Sequence, residues 1–175
     1  MPNDLNYGPP GIARPGAETP EGLTPRERTV ELGTGDEVWA RAVATVAGWQ
    51  IKKRVGFRVD PDLPVAAGQD VSLRFGLGRI RLHEPVRVIW VESEGDRRGF
   101  GYGTRRGHPI TGEEAFLVER RADGSVWFTV RSVSRVSGVR WFVLSPLIRL
   151  VQPWFLRRYS RAALALVRTA ELRRQ

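Results

Sequence analysis

SVWFTVRSVS, residues Ser125–Ser134, decides the fold. Val126, Phe128 and Val130 fall on one face of an extended chain, and Trp127, Thr129 and Arg131 on the other. A period of two over that length is a strand with one buried face. Ser132 and Ser134 continue the apolar face, and hydroxyls there need partners, supplied either by backbone or by a bound molecule's polar atoms. Just upstream, Asp123-Gly124 offers the positive φ angles of a two-residue hairpin, which predicts Ala115 to Arg121 as the antiparallel neighbour.

Further upstream the same period runs back to Ile51, punctuated by turn signals, and predicts a meander. Its strands are Lys52 to Val59, Asp70 to Phe75, Arg79 to Leu82, Val86 to Glu92, Gly99 to Thr104, Glu114 to Arg121 and Ser125 to Ser134. Before it lie a short extended piece, Arg28 to Leu32, and a helix from Asp36 to Gln50 with an apolar stripe of Val38, Trp39, Ala42, Val43, Val46 and Trp49. Residues 1–26, rich in proline and glycine, read as an irregular arm, leaving 27–175 as one domain. After Gly138 the period becomes 3.6. Ser145-Pro146 marks a helix start, with Val151, Phe155, Tyr159, Ala162 and Leu166 on one side, Arg157, Arg161 and Arg168 roughly opposite, and a kink expected at Pro153. Helix, antiparallel meander and long helix make an α+β fold in which a curved sheet wraps the C-terminal helix. Such a wrap leaves a cavity between the two.

Composition excludes several classes. The 175 residues, 19.7 kDa, suffice for one ordinary core. With no cysteine there is no disulfide, thiolate nucleophile or sulfur-bound zinc. The polar, proline-rich start is neither a secretory signal nor an anchor, and the arginine-rich last helix is a poor membrane span, so a soluble cytoplasmic protein is expected. No G-x-S-x-G elbow or phosphate loop is present, and the glycines of GFGYG, residues 99–103, lead into a loop and not into a dinucleotide-binding helix. His83 and His108 with scattered carboxylates give no metal spacing, so neither metal nor cofactor is expected.

The densest stretch is GFGYGTRRGHPITGEEAF, residues 99–116. Gly99, Gly101 and Gly103 leave one strand face bare, which admits a helix, a sheet bend or a ligand, while Phe100, Tyr102 and Thr104 point the other way. His108, Glu113 and Glu114 lie close in sequence; they fix the loop or serve as acid and base. Gln152 and Tyr159 put further polar atoms on the long helix, and six tryptophans supply core or pocket walls.

Charge is uneven. Residues 1–95 hold 12 cations and 13 anions, and residues 96–175 hold 16 and 6. The basic last helix, with Leu150 and Leu164 on its cationic side, is either solvated or docks on an anionic membrane or an acidic protein. Nucleic acid is not expected, because no aromatics interleave with the arginines on a strand platform.

GFGYGT, GHP and GEEAF in that order, with residues 120–134 and the SP-x(6)-Q stretch from Ser145 to Gln152, resemble a family found in bacteria and plants, domain of unknown function 1990, also called uncharacterised protein family 0548. Arg105 stands where similar sequences usually carry leucine. The resemblance implies a helix-grip fold, akin to the pollen-allergen and lipid-transfer superfamily. Members of that superfamily commonly enclose apolar ligands, and some are cyclases or hydrolases. Three readings follow. The first is a binding protein for a small apolar molecule, its cavity lined by Phe128, Val130 and Tyr159, with Tyr102, His108, Glu113, Glu114, Ser134 and Gln152 orienting the guest's polar end. The second is an enzyme using His108 with Glu113 or Glu114. The third is an interaction module that docks its arginine helix.

Overall fold

The computed structural model describes residues 4–77, 80–137 and 145–168. In chain order it contains β1 (Thr24–Thr34), α1 (Asp36–Ala47), α2 (Gln50–Val55), β2 (Arg58–Asp60), β3 (Asp70–Leu77), β4 (Ile80–Glu92), β5 (Arg97–Thr104), β6 (Ile110–Arg120), β7 (Ser125–Val136) and α3 (Ser145–Arg168). One seven-stranded antiparallel sheet runs in the order β1-β7-β6-β5-β4-β3-β2. Register shifts between Glu31 and Gly33 in β1 and between Val88 and Trp90 in β4 add twist, as bulges do.

Alternation assigns the two faces. On β6, Phe116 and Val118 point inward to join Phe128 and Val130 of β7, α1 residues such as Ala42 and Val46, and Leu156, Ala163 and Val167 of α3. Ala115 and Leu117 point outward with Trp90 and Val133, and there they meet Ile12 and Ala13 of the N-terminal stretch. Among the described residues before Thr24 that stretch forms no strand beyond a single bridge, Leu5 to Arg105, yet it lies across the outer face. The sheet is therefore a middle layer. Full burial of a side chain such as Phe116 or Ile12 contributes about 2 kcal/mol.

Several sequence expectations change. The first helix does not run to Gln50: after Gly48, Trp49 takes a left-handed conformation (φ 58°) and a second short helix, α2, follows. The buried Trp49 indole packs edge-on against Phe100, with ring centres 4.6 Å apart. Lys52 is consequently helical, and the strand expected from Lys52 to Val59 shrinks to Arg58–Asp60. The two strands expected on either side of Pro85 are one, β4. Pro85 stands opposite Ser72 of β3, but its carbonyl accepts from the Arg105 amide on the β5 side, just past the end of the β4–β5 ladder at Val86, so the missing N–H faces that side and removes no bond to β3. The β6–β7 turn has one positive φ, at Gly124 (79°), so it is not the two-residue form. It is closed by Gly124 N–H to Arg121 and Arg121 N–H to Ser125, with Asp123 accepting from the Ser125 amide. The bare strip of Gly99, Gly101 and Gly103 takes neither helix nor ligand. Added β-carbons would overlap the Phe116 carbonyl, the Trp90 ring and the Tyr7 hydroxyl respectively.

Candidate functional site

Between the inner face of the sheet and α3 lies a cavity of about 230 Å³. Its walls are mainly apolar, with Phe57, Leu82, Ile110, Val151, Phe155 and Leu156 contributing. Into it converge Lys52, Glu84, Tyr102, Thr104, His108, Glu114, Ser132, Ser134, Gln152 and Tyr159.

Lys52 anchors the first polar group. The break at Trp49 turns α2 so that Ile51, Lys52 and Val55 are buried, and Lys52 is 3% exposed. Its Nζ donates to the Tyr159 hydroxyl at 2.7 Å and pairs with Glu114 Oε2 at 2.7 Å. The Tyr102 hydroxyl donates to that same Glu114 oxygen. Aromatic faces surround the ammonium, with the ring centres of Phe57 and Tyr159 each at 4.6 Å and that of Tyr102 at 5.1 Å. Burial, and next the Glu114 charge, push both phenols well above the usual tyrosine range, so both stay protonated at neutral pH. Tyr159 accepts from Lys52, and no described group takes its proton.

Glu84 and His108 form the second group. The Ile110 amide donates to His108 Nδ1 at 2.9 Å, so the ring's proton sits on Nε2, which faces Glu84 Oε2 at 3.7 Å. Burial pushes the Glu84 carboxyl up, but the His108 ring and the charges of Lys52 and His83 pull harder and hold it below the usual glutamate range. A third group ties helix to sheet: Gln152 Nε2 donates to Ser134 Oγ at 3.0 Å, and Ser134 Oγ lies 3.2 Å from Ser132 Oγ.

The structure thus brings Tyr102, His108, Glu114, Ser134, Gln152 and Tyr159 of the expected set to one cavity. Phe128 and Val130 are not among its lining residues; they are fully buried core packed beside it. Glu113 belongs to the wall through its position on β6, but its carboxylate is on the outer face. There Oε1 accepts from the Tyr7 hydroxyl and the Gly11 amide, each at 2.5 Å, and Oε2 from the Ala13 amide at 2.9 Å. Adjacent residues on a strand face opposite ways, so Glu113 and Glu114 cannot serve one site together. Sequence reasoning missed Lys52 and Glu84. Glu84 was legible by parity, sharing a face with the buried Val86 and Val88 of β4. On α3, Arg157, Arg161 and Arg168 are exposed while Leu164 packs against the core; the Leu150 side chain lies outside the described residues. No described helix is long and apolar enough to cross a membrane. No cluster of metal-ligating side chains occurs among the described residues.

A curved antiparallel sheet closed over a long C-terminal helix, with a cavity between them, defines a helix-grip protein. The chain belongs to the DUF1990 family, described as a domain of unknown function, whose model matches residues 6–162. A UPF0548 protein of Deinococcus radiodurans is 32% identical over 157 residues, covering 82% of this chain and 78% of the relative. Among solved structures, a hypothetical protein of Helicobacter pylori, jhp0584, superposes with a TM-score of 0.63 at 12% identity, covering 96% of this chain and 98% of that one. Norcoclaurine synthase from Thalictrum flavum, in complex with dopamine and hydroxybenzaldehyde, does so with a TM-score of 0.57 at 13% identity, covering 93% and 94%. At such identities the likeness to the solved structures is one of fold.

Proposed function

We propose that the chain binds a small, mostly apolar molecule between sheet and α3, with the molecule's polar end at the Lys52, Glu114 and Tyr159 group. One observation carries this: a cavity with apolar walls holds donors and acceptors at one place, including a tyrosine proton with no acceptor among the described residues. That is the composition of a ligand site, where apolar surface supplies affinity and few polar groups fix orientation. About 230 Å³ lies below the roughly 300–1,000 Å³ of drug-sized pockets, so the guest is compact, on the scale of one substituted ring. The single-ring molecules bound by the similarly folded norcoclaurine synthase support that scale by analogy of fold. Val151, on α3, lines the cavity, and Val151→Trp fills it. Native mass spectrometry and ligand-observed NMR with a panel of single-ring phenols, aldehydes and acids should find binders of the wild type that this variant loses. A panel that yields none, or binders the variant keeps, overturns the reading.

A second reading rests on the Glu84–His108 pair, in which an imidazole proton faces a partly buried carboxylate at the cavity wall. Here His108 acts as acid or base with Glu84 as its partner, in place of Glu113. A His108 titration by NMR that is identical in wild type and Glu84→Gln removes this reading.

A further inference from the structure

We propose that Lys52 is a carbonyl-reactive amine and that the guest it takes is a small aldehyde, held as a Schiff base; this rests on the cavity reading above. The chain uses arginine for 26 of its 28 basic residues. Of its two lysines, Lys53 is partly exposed and pairs with Asp62, an ordinary surface role. Lys52 alone is buried beside a cavity, and a guanidinium could not replace its chemistry, because arginine neither releases a proton nor forms an imine.

Its partners are the ones the reaction needs. Glu114, at 2.7 Å, is positioned to take a proton from the ammonium, and a guest that excludes water favours two neutral groups over a buried ion pair. Tyr159, also at 2.7 Å, keeps its own proton and has it free for a carbonyl oxygen. Phe57, Phe155 and Leu156 provide apolar wall for the guest's ring.

The step balances without oxidant or reductant. Glu114 takes one ammonium proton, and the freed nitrogen pair attacks the carbonyl carbon while the C=O π pair moves to oxygen, steadied by the Tyr159 hydroxyl. A second nitrogen proton passes to that oxygen. Glu114 returns its proton to the resulting hydroxyl, which leaves as water. The C=N bond forms as an iminium, whose charge restores the pair with Glu114.

The test treats the full chain with benzaldehyde and sodium cyanoborohydride and maps the reduced adduct by peptide mass spectrometry at Lys52, Lys53 and the terminal amine. Benzyl alcohol, which fits the same space but cannot form an imine, reports occupancy by saturation-transfer NMR. Lys52 is expected to label saturably and at least about tenfold faster than the better exposed Lys53, with benzyl alcohol competing. Glu114→Gln should slow Lys52 by about tenfold or more while benzyl alcohol still binds, and the wild-type comparison of the two lysines stands however that variant folds. Label confined to Lys53 and the terminal amine while benzyl alcohol occupies the cavity overturns the imine and spares the binding reading. Lys52 labelling that is non-saturable and no faster than Lys53 likewise overturns it. If neither compound binds and Lys52 stays unlabelled, both readings fall.

Discussion

Glu113→Ala should release the N-terminal stretch from the outer face of the sheet. The carboxylate is 1% exposed and accepts three hydrogen bonds, from the Tyr7 hydroxyl and from the Gly11 and Ala13 amides. Hydrogen bonds to a charged group are worth about 1.5–3 kcal/mol each, so rigid loss of all three would exceed roughly 4.5 kcal/mol. The stretch can instead lift away and let its amides hydrate. That limits the loss to its docking free energy, which we set at about 3–4 kcal/mol given the burial of Ile12 and Ala13. Urea unfolding of four chains tests the reasoning: wild type, Glu113→Ala, a chain lacking residues 1–17, and the combination. In the shortened chain Glu113 has no partner to lose, so the substitution should cost under about 1 kcal/mol there. Hydrogen exchange at Gly11 and Ala13 should speed by about two orders of magnitude in Glu113→Ala, matching roughly 2.7 kcal/mol of easier opening. Equal losses in long and short chains, or unchanged protection of those two amides, would refute the latch.

Other perturbations give distinct outcomes. Gly101→Ala drives a β-carbon into the buried Trp90 ring and should lower stability by about 2–3 kcal/mol by urea titration. Gly124→Ala, with open space around it, should cost only the strain of its positive φ, about 1 kcal/mol. Lys52→Met leaves the partly buried Glu114 without its cation, held only by the Tyr102 hydroxyl, so a loss of about 2–3 kcal/mol is expected, largely recovered by adding Glu114→Gln; thermal melts of singles and double read this coupling. Glu84 has a folded-state value below its ordinary 4.5, so its ionised form stabilises the fold above that pH, and this contribution drains away as pH falls through the folded value. Melting temperatures of wild type and Glu84→Gln should therefore differ at pH 6 and converge toward pH 3; a gap that widens in acid contradicts the assignment.

Where one face of an element is buried, pattern alone gave the architecture. Val126, Phe128 and Val130 marked β7, and the same parity, carried through β6, separates Glu113 from Glu114, although their adjacency in sequence had grouped them as one site. Lys52 was hidden for a different reason. Ile51 to Val59 alternates well enough to pass for a strand, and only the left-handed turn at Trp49, a conformation no local motif announces for tryptophan, makes the segment helical and buries the amine. Much of the polar set was visible in the sequence, with Tyr102, His108 and Glu114 near the glycine strip, Ser134 on the apolar face of β7, and Gln152 and Tyr159 on the long helix. Their partners Lys52, Glu84 and Tyr159 come from α2, β4 and α3, and only tertiary closure brings them together. By sequence the glycine strip admits a helix, a sheet bend or a guest, yet the large groups it admits, Trp90 and Tyr7, belong to the outer layer.

The tethering of Asp4 and Asn6 has a practical side. Asp4 pairs with Arg105 and Arg87, Asn6 bonds to Thr104 and to the carbonyl of Ile110, and the Ile110 amide holds His108 at the cavity wall. A dye coupled near Asn6 would thus ride on the same loop that frames the chamber, and its emission would register a molecule entering without any label on the chamber itself. Fusions made at that end would press on the same contacts, from Asp4 to Arg105 and from Asn6 to Ile110.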